Sequence, residues 1–207
     1  MIITYHGKGH IKLVTGDTTI SLGPVSKDSK KRQTKYGADV ALLPINHPDY
    51  NGVENVTHGS KEPFVIKSAG EYEIAGVFIN GFSEKITRDG NEYMTNSYVF
   101  NFDGIRVVYL GQIQDQLKPE HKEIIDEVDV LFVPVGGDGE SLNAYDAAKL
   151  ATGLEPKIVI PIDHNEKTLP IFMKEMGAEG VGAIDKLTIK KKDILEKQGE
   201  VVLLEEM

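Results

Sequence analysis

The sequence predicts an α/β protein in which two β-sheets pack face to face with helices outside. Two observations carry this. The first half is made of short strands with period-two alternation and tight turns, whereas the second alternates continuous apolar strands with segments of helical period. No linker-like stretch or fixed-period repeat divides the chain, so residues 1–207 read as one domain.

Ile2-Ile3-Thr4-Tyr5 is a β-branched opening strand. Ile11 to Thr15 alternates apolar and polar, turns at Gly16-Asp17 and returns as Thr18 to Leu22. Gly23-Pro24 stops that strand and opens a polar loop over 25–37, and Ala38 to Leu43 is the next strand. Phe64-Val65-Ile66 leads through Gly70 into Glu71 to Ile74, which turns at Ala75-Gly76 into Val77-Phe78-Ile79. Asp103-Gly104 closes a hairpin between Ser97–Phe102 and Ile105–Leu110, and the charged residues 83–93 read as a mobile loop.

Lys118 to Val128 has helical period, with Pro119 in its first turn. Val130 to Val133 is a buried strand ended by Pro134 and Gly136-Gly137. Asn143 caps a helix through Leu150 that Gly153 closes. Ile158-Val159-Ile160 is another buried strand, Leu169 to Met176 is helical, and a last hairpin joins Leu187–Ile189 to Val201–Leu204.

Composition narrows function. A net charge of −9 argues against broad nucleic-acid binding, and the cluster Lys27, Lys30, Lys31, Arg32 and Lys35 reads as a solvated loop. With no cysteine, a metal site would need His, Asp or Glu. No apolar stretch approaches the ~18 residues of a membrane span, and no basic-plus-apolar leader opens the chain; a cytoplasmic protein is expected.

In open α/β architectures functional groups collect just past the C-terminal ends of strands. Four such places occur: His47 and Asp49, Gly111-Gln112, Gly136-Gly137-Asp138, and Asp163-His164. His47 and Asp49 are two apart on an extended loop and point roughly the same way, which suits two ligands on one ion. They equally suit a turn before Gly52 beside a surface histidine. Asp163 and His164 are neighbours and point apart, so one at most faces a shared site. Gly136-Gly137 could offer backbone N–H groups to an anion but lacks a P-loop's Lys-Ser/Thr. His6 and His10 flank a glycine-rich turn that could reach an active centre, while His58 and His121 read as surface residues.

The order of these motifs resembles the metallo-β-lactamase-fold superfamily, and within it the small bacterial and archaeal Zn-dependent hydrolase-like proteins. "TYHGKGHIKLVTGDTTISLGP" resembles the family's opening hairpin, and "ADVALLPINHPDYNGVENV" the strand and loop that carry H-x-H-x-D-H. "PFVIKSAGEYEIAGVFINGF" is similar to P-G-E-Y-E-x-x-G-V-x-I-x-G and is the most specific match. "DGIRVVYLGQ", "VDVLFVPVGG" and "PKIVIPIDH" resemble the later strands. The resemblance implies a four-layer αββα sandwich of two mixed β-sheets with outer helices. It also implies one or two metal ions at the rim, whose bound hydroxide performs hydrolysis.

Residue by residue, the resemblance implies replaced ligands. Ile45 stands at the first His of H-x-H-x-D-H, His47 at the second, Asp49 at the Asp and Tyr50 at the final His. Gln112 stands at the bridging Asp. The last His falls on Asp163, unless a one-residue shift presents His164. No histidine occurs near Ser83 or Glu84, Gly23 replaces the Asp of the family's I-D-P segment, and Lys8-Gly9 replaces an H/Q-S pair. The family's first two histidines serve one metal, and the Asp and third His the other. Neither set reaches the three protein ligands a catalytic zinc needs.

The leading expectation is a protein that has lost the dinuclear chemistry and acts as a binding, regulatory or oligomer-partner subunit. Its partner would be a small molecule, a protein or a second copy, and it would need no cofactor. The rival is a phosphodiester or ester hydrolase in which His47, Asp49 and His164 hold a single zinc or other divalent metal, with Asp163 or Gln112 behind them. A third reading, nucleic-acid hydrolysis, runs against the acidic charge.

Overall fold

The computed structural model describes residues 1–137 and 139–207; of the Gly136-Gly137-Asp138 turn, Asp138 lies outside the described residues. Two mixed sheets form an α/β sandwich. In the first, β1 (Ile2–Tyr5), β2 (Ile11–Thr15) and β3 (Thr18–Leu22) run antiparallel, and β4 (Val40–Leu42) and β5 (Phe64–Ile66) continue parallel to β3. In the second, β6 (Gly70–Ile74), β7 (Val77–Arg88), β8 (Asn91–Phe102) and β9 (Ile105–Tyr109) run antiparallel. Parallel to β9 follow β10 (Val130–Pro134), β11 (Ile158–Ile162) and a short β13 (Glu200–Val201).

Side-chain alternation explains the layers. Val107, Tyr109, Phe132, Ile158 and Ile160 point inward against Ile11, Leu13, Ile20, Leu22 and Leu42 of the first sheet. The alternate residues Val108, Leu131, Val133 and Val159 point outward into a second core. That outer core is closed by α1 (Pro119–Ile125), α2 (Ala144–Gly153) and α3 (Thr168–Glu175). On the outer face of the first sheet the covering is thin: Ala38, Ala41, Leu43 and Val56 pack with Tyr36 and Val53, the last on a 3-10 turn, Val53–Asn55.

Three readings change. Residues 83–93 are not a loop: β7 and β8 are 12-residue strands, and the charged stretch is the tip of their hairpin. Its register is pinned by pairs such as Ile86↔Tyr93, so local polarity was overridden by strand pairing. The last hairpin does not form. β12 (Leu187–Thr188) joins β1 in the first sheet, β13 joins β11 in the second, and a 3-10 turn, Lys191–Ile194, lies between. Phe64–Ile66 likewise belongs to the first sheet while Glu71–Ile74 belongs to the second, so the chain crosses between sheets there. Among the described residues no helix is long and apolar enough to cross a membrane.

Candidate functional site

The ends of β4 and β11 meet at one rim. The peptide after β4 is fixed to the second sheet where Asn96 N donates to Pro44 O at 2.6 Å. From this loop Tyr50, fully buried, donates its hydroxyl to Asp163 Oδ2 at 2.9 Å. Asp163 therefore faces the site, on a backbone of positive φ (49°) just past β11. The His164 ring lies 5.7 Å from that of Tyr5, whose hydroxyl accepts from the Asp163 amide. Burial lowers the His164 pKa, against the opposing pull of Asp163, and Nε2 has no hydrogen-bond partner among the described residues.

Lys8 completes the group. Its ammonium lies 2.9 Å from Asp163 Oδ1, in nearly solvent-free surroundings. The Lys8 backbone has positive φ (53°), and its carbonyl accepts from Tyr5 Oη at 3.0 Å and from the Asp163 amide at 2.7 Å. Burial, followed by the Asp163 charge, raises the Tyr5 pKa, so this phenol stays a donor.

Gly9 and Gly23 make room for the arrangement. A Cβ on Gly9 would lie 2.6 Å from Tyr109 Oη and 3.2 Å from the Tyr50 ring. One on Gly23, at φ +52°, would also lie 2.6 Å from Tyr109 Oη. Tyr109 donates to Gly9 O at 3.0 Å and is buried in the core. The Tyr109 hydroxyl thus fills space that side chains on Gly9 and Gly23 would occupy, and the Tyr50 ring borders Gly9.

His47 and Asp49 share the loop, and the Asp49 amide donates to His47 Nδ1 at 3.2 Å. Their other contacts diverge. His47 Nε2 lies 3.5 Å from Asp89 Oδ2 at the β7–β8 tip, and its ring stands edge-on to Tyr93. Asp49 accepts from Ser29 Oγ at 2.5 Å through Oδ1, and its Oδ2 is 3.7 Å from Arg88 Nη2. Arg88 is buried, and its guanidinium carbon sits 5.5 Å from the centre of the Tyr50 ring. Lys8 Nζ is 5.8 Å from the same centre. The hairpin tip covers the site: Ile86, with Tyr93 beside it, packs on Ile45 and Tyr50.

Gln112 is fully buried and held through its backbone, whose amide donates to Thr95 Oγ1 at 2.8 Å. Neither side-chain amide atom has a hydrogen-bond partner among the described residues. His121 is not a surface residue: it stacks on Phe82 at 4.5 Å, and its Nδ1 is 3.0 Å from Glu84 Oε1. His6 and His10 are buried, with ring centres 5.0 Å apart. They join Tyr36 and Ser21, not the Asp163 group: His10 Nε2 is 2.8 Å from Tyr36 Oη, which donates to Ser21 Oγ. The basic residues of the 25–37 loop are exposed.

Lys8, Ser29 and Arg88 are the participants that reasoning from sequence missed. Lys8 alone had a visible sign, standing where the family has His or Gln. Ser29 and Arg88 lay in segments read as polar loops.

The residues here do not fit a zinc centre. Among the described residues no group of three or more His, Asp or Glu side chains is placed to hold a metal. Ile45 offers no donor, and Asp163 spends its two oxygens on Tyr50 and Lys8.

Comparison with known proteins agrees with the architecture. The profile of the Beta-lactamase superfamily domain matches residues 2–163. A UPF0173 metal-dependent hydrolase of Listeria innocua is 27% identical, over 84% of this chain and 89% of its own. One from Anoxybacillus flavithermus is 26% identical, over 89% and 96%. A Thermotoga maritima structure, described as a Zn-dependent hydrolase of the metallo-β-lactamase superfamily, superposes with a TM-score of 0.77 at 26% identity, over 98% of this chain and 97% of its own. A structure described as a metal-dependent hydrolase of Parabacteroides distasonis shares the fold, with a TM-score of 0.70 at 19% identity, over 99% and 92%. A match across most of the chain, together with the two-sheet sandwich, places this protein in the β-lactamase superfamily domain family, with the metallo-β-lactamase fold and a relationship to the UPF0173 metal-dependent hydrolases.

Proposed function

We propose that this protein works without the dinuclear hydrolytic chemistry associated with its fold, as a binding, regulatory or oligomer-partner subunit. The supporting observation is the contact set of Asp163, whose carboxylate takes the Tyr50 hydroxyl on one oxygen and the Lys8 ammonium on the other. A carboxylate so engaged has to lose a hydrogen bond and an ion pair before it can ligate a metal. Ile45 and Gln112 remove two further donors suited to a dication, since an alkyl group binds none and a neutral amide brings no charge. Metal analysis of protein purified with zinc present tests the reading: zinc well below one equivalent is expected, and stoichiometric, tightly held zinc overturns it.

A second reading draws on the names of the relatives, which are described as metal-dependent hydrolases. In it, His47, Asp49 and His164 hold one divalent metal and the chain hydrolyses a phosphodiester or ester. It requires these three side chains to converge, and among the described residues no group of three His, Asp or Glu side chains is placed to hold a metal. Replacing His47 and His164 by alanine decides it: hydrolysis of generic phosphodiester or ester substrates that disappears in both variants supports a metal enzyme, and activity that survives both excludes this site.

A further inference from the structure

We infer that Lys8 and Arg88 take over, as fixed organic cations, the charge that metal ions would bring to this rim, and that they close a latent dication site. The inference rests on the reading of a metal-independent centre and names what replaced the metal.

The argument begins with the acids. Removing metal ions from a buried centre strands its carboxylates, and an unpaired buried carboxylate is costly. Two acids stand at positions where the resemblance places ligands, Asp49 and Asp163; Asp89, also near Arg88, is exposed. Each of the two has both oxygens engaged. Asp163 takes the Tyr50 hydroxyl and the Lys8 ammonium, each at 2.9 Å. Asp49 takes the Ser29 hydroxyl at 2.5 Å and the Arg88 guanidinium at 3.7 Å. The pattern repeats: one neutral hydroxyl and one cation for each acid.

The cations converge on one residue. The Lys8 ammonium and the Arg88 guanidinium lie 5.8 and 5.5 Å from the centre of the Tyr50 ring, within range of attraction to its π-face. Tyr50 stands at the position of the final ligand histidine and provides both the hydroxyl that Asp163 accepts and the ring that both cations approach. The cations come from different parts of the fold. Lys8 is presented by the β1–β2 turn, whose carbonyl is anchored by Tyr5 and by the Asp163 amide. Arg88 ends β7, so closure of the β7–β8 hairpin over the rim is what delivers it. A solvated surface pair would explain neither the low exposure of the four charged side chains, 12% or less for each, nor the backbone anchoring of Lys8.

The test compares metal response in wild type, Lys8→Ala, Arg88→Ala and the uncharged pair Lys8→Met with Asp163→Asn. Zinc and manganese are titrated in turn, reading the melting temperature and the retained metal. The wild-type midpoint is expected to stay unmoved. Lys8→Ala leaves Asp163 without its cation and should lower the midpoint by roughly 6–12 °C. A dication entering the vacated place then restores part of that loss, with affinity at least about tenfold above wild type. Arg88→Ala should respond likewise through Asp49. The uncharged pair, with no acid left to compensate, should fold and ignore both metals. If Lys8→Ala does not fold, Lys8→Gln, which keeps most of the length but not the charge, carries the same comparison. A metal-free wild type whose Lys8 and Arg88 variants gain no metal affinity overturns this inference alone. Stoichiometric zinc in the wild type overturns the functional reading beneath it.

Discussion

Tyr50 and Asp163 lie 113 residues apart in sequence and are joined by a 2.9 Å hydrogen bond in the protein interior. The bond ties the loop after β4 to the end of β11 and so holds the two sheets together at the rim. Replacing Tyr50 by phenylalanine removes a donor from a buried carboxylate. The expected loss is about 1.5–3 kcal/mol, seen as a lower urea midpoint with unchanged slope. A variant as stable as wild type would show that the hydroxyl is dispensable.

Gly9 and Tyr109 form a second coupled pair. An alanine at position 9 would put its methyl 2.6 Å from the Tyr109 hydroxyl, and the ring is buried in the core with little room to retreat. Gly9→Ala should cost about 1–3 kcal/mol by overpacking. Adding Tyr109→Phe removes the oxygen in the way and should recover part of the loss. A double-mutant cycle of denaturation midpoints measures this coupling, and strict additivity would argue against the contact.

The buried histidines make stability depend on pH. Burial, with Lys12 adding to it, depresses the His6 pKa to about 4, and burial, with His6 adding to it, depresses that of His10. Both are therefore neutral in the folded chain at pH values where the unfolded chain has protonated them. Well above about 6.5 neither state is protonated and the stability is full. As pH falls from about 6.5 toward 4, the unfolded state gains protons first and stability declines. At pH 5 the loss from His6 should be about 2 kcal/mol. Urea titrations at pH 7.5 and 5 on wild type and His6→Gln check this, with a shallower decline expected in the variant.

The β7–β8 tip should resist hydrogen exchange. Residues 84–88 and 91–95 are paired across the hairpin, and the tip packs on Ile45 and Tyr50. Amides that donate across this ladder should exchange far more slowly than those of the 25–37 segment, by native-state exchange with mass spectrometry. Equal exchange in the two would mean that the tip does not stay closed over the rim.

Asn143 caps α2 through its side-chain oxygen, which accepts from the Tyr145 and Asp146 amides at 3.1 Å each. Asn143→Ala should cost about 1 kcal/mol, read from the same denaturation experiment, while leaving the rim untouched.

Much of the fold was legible because local chemistry and tertiary structure agree. Period-two alternation in Ile11–Thr15 and Thr18–Leu22 marks a half-buried hairpin, and Asp103-Gly104 supplies the positive φ values that a two-residue turn needs. Continuous apolar runs at Val130–Val133 and Ile158–Ile160 mark buried strands, which pair in parallel and set the rim. The hairpin tip was misread because its exposed charges are those of a loop, while its pairing is set by the strand opposite. The false final hairpin has a similar origin: Leu187–Ile189 and Val201–Leu204 both have strand character, but partners in different sheets claim them.

By itself the sequence indicated two packed sheets and most of their strands and helices, which follow from side-chain period and residue type, both local properties. Its resemblance to the metallo-β-lactamase fold implied the replacements Ile45, Tyr50 and Gln112 at the rim. The tertiary structure alone decided that Asp163 meets the Tyr50 hydroxyl, that Ser29 and Arg88 reach Asp49, and that Lys8 meets Asp163 from the far end of the chain. Buried charge has to find its counter-charge through space, and the partner's place in the sequence carries no trace of the pairing until the chain has folded.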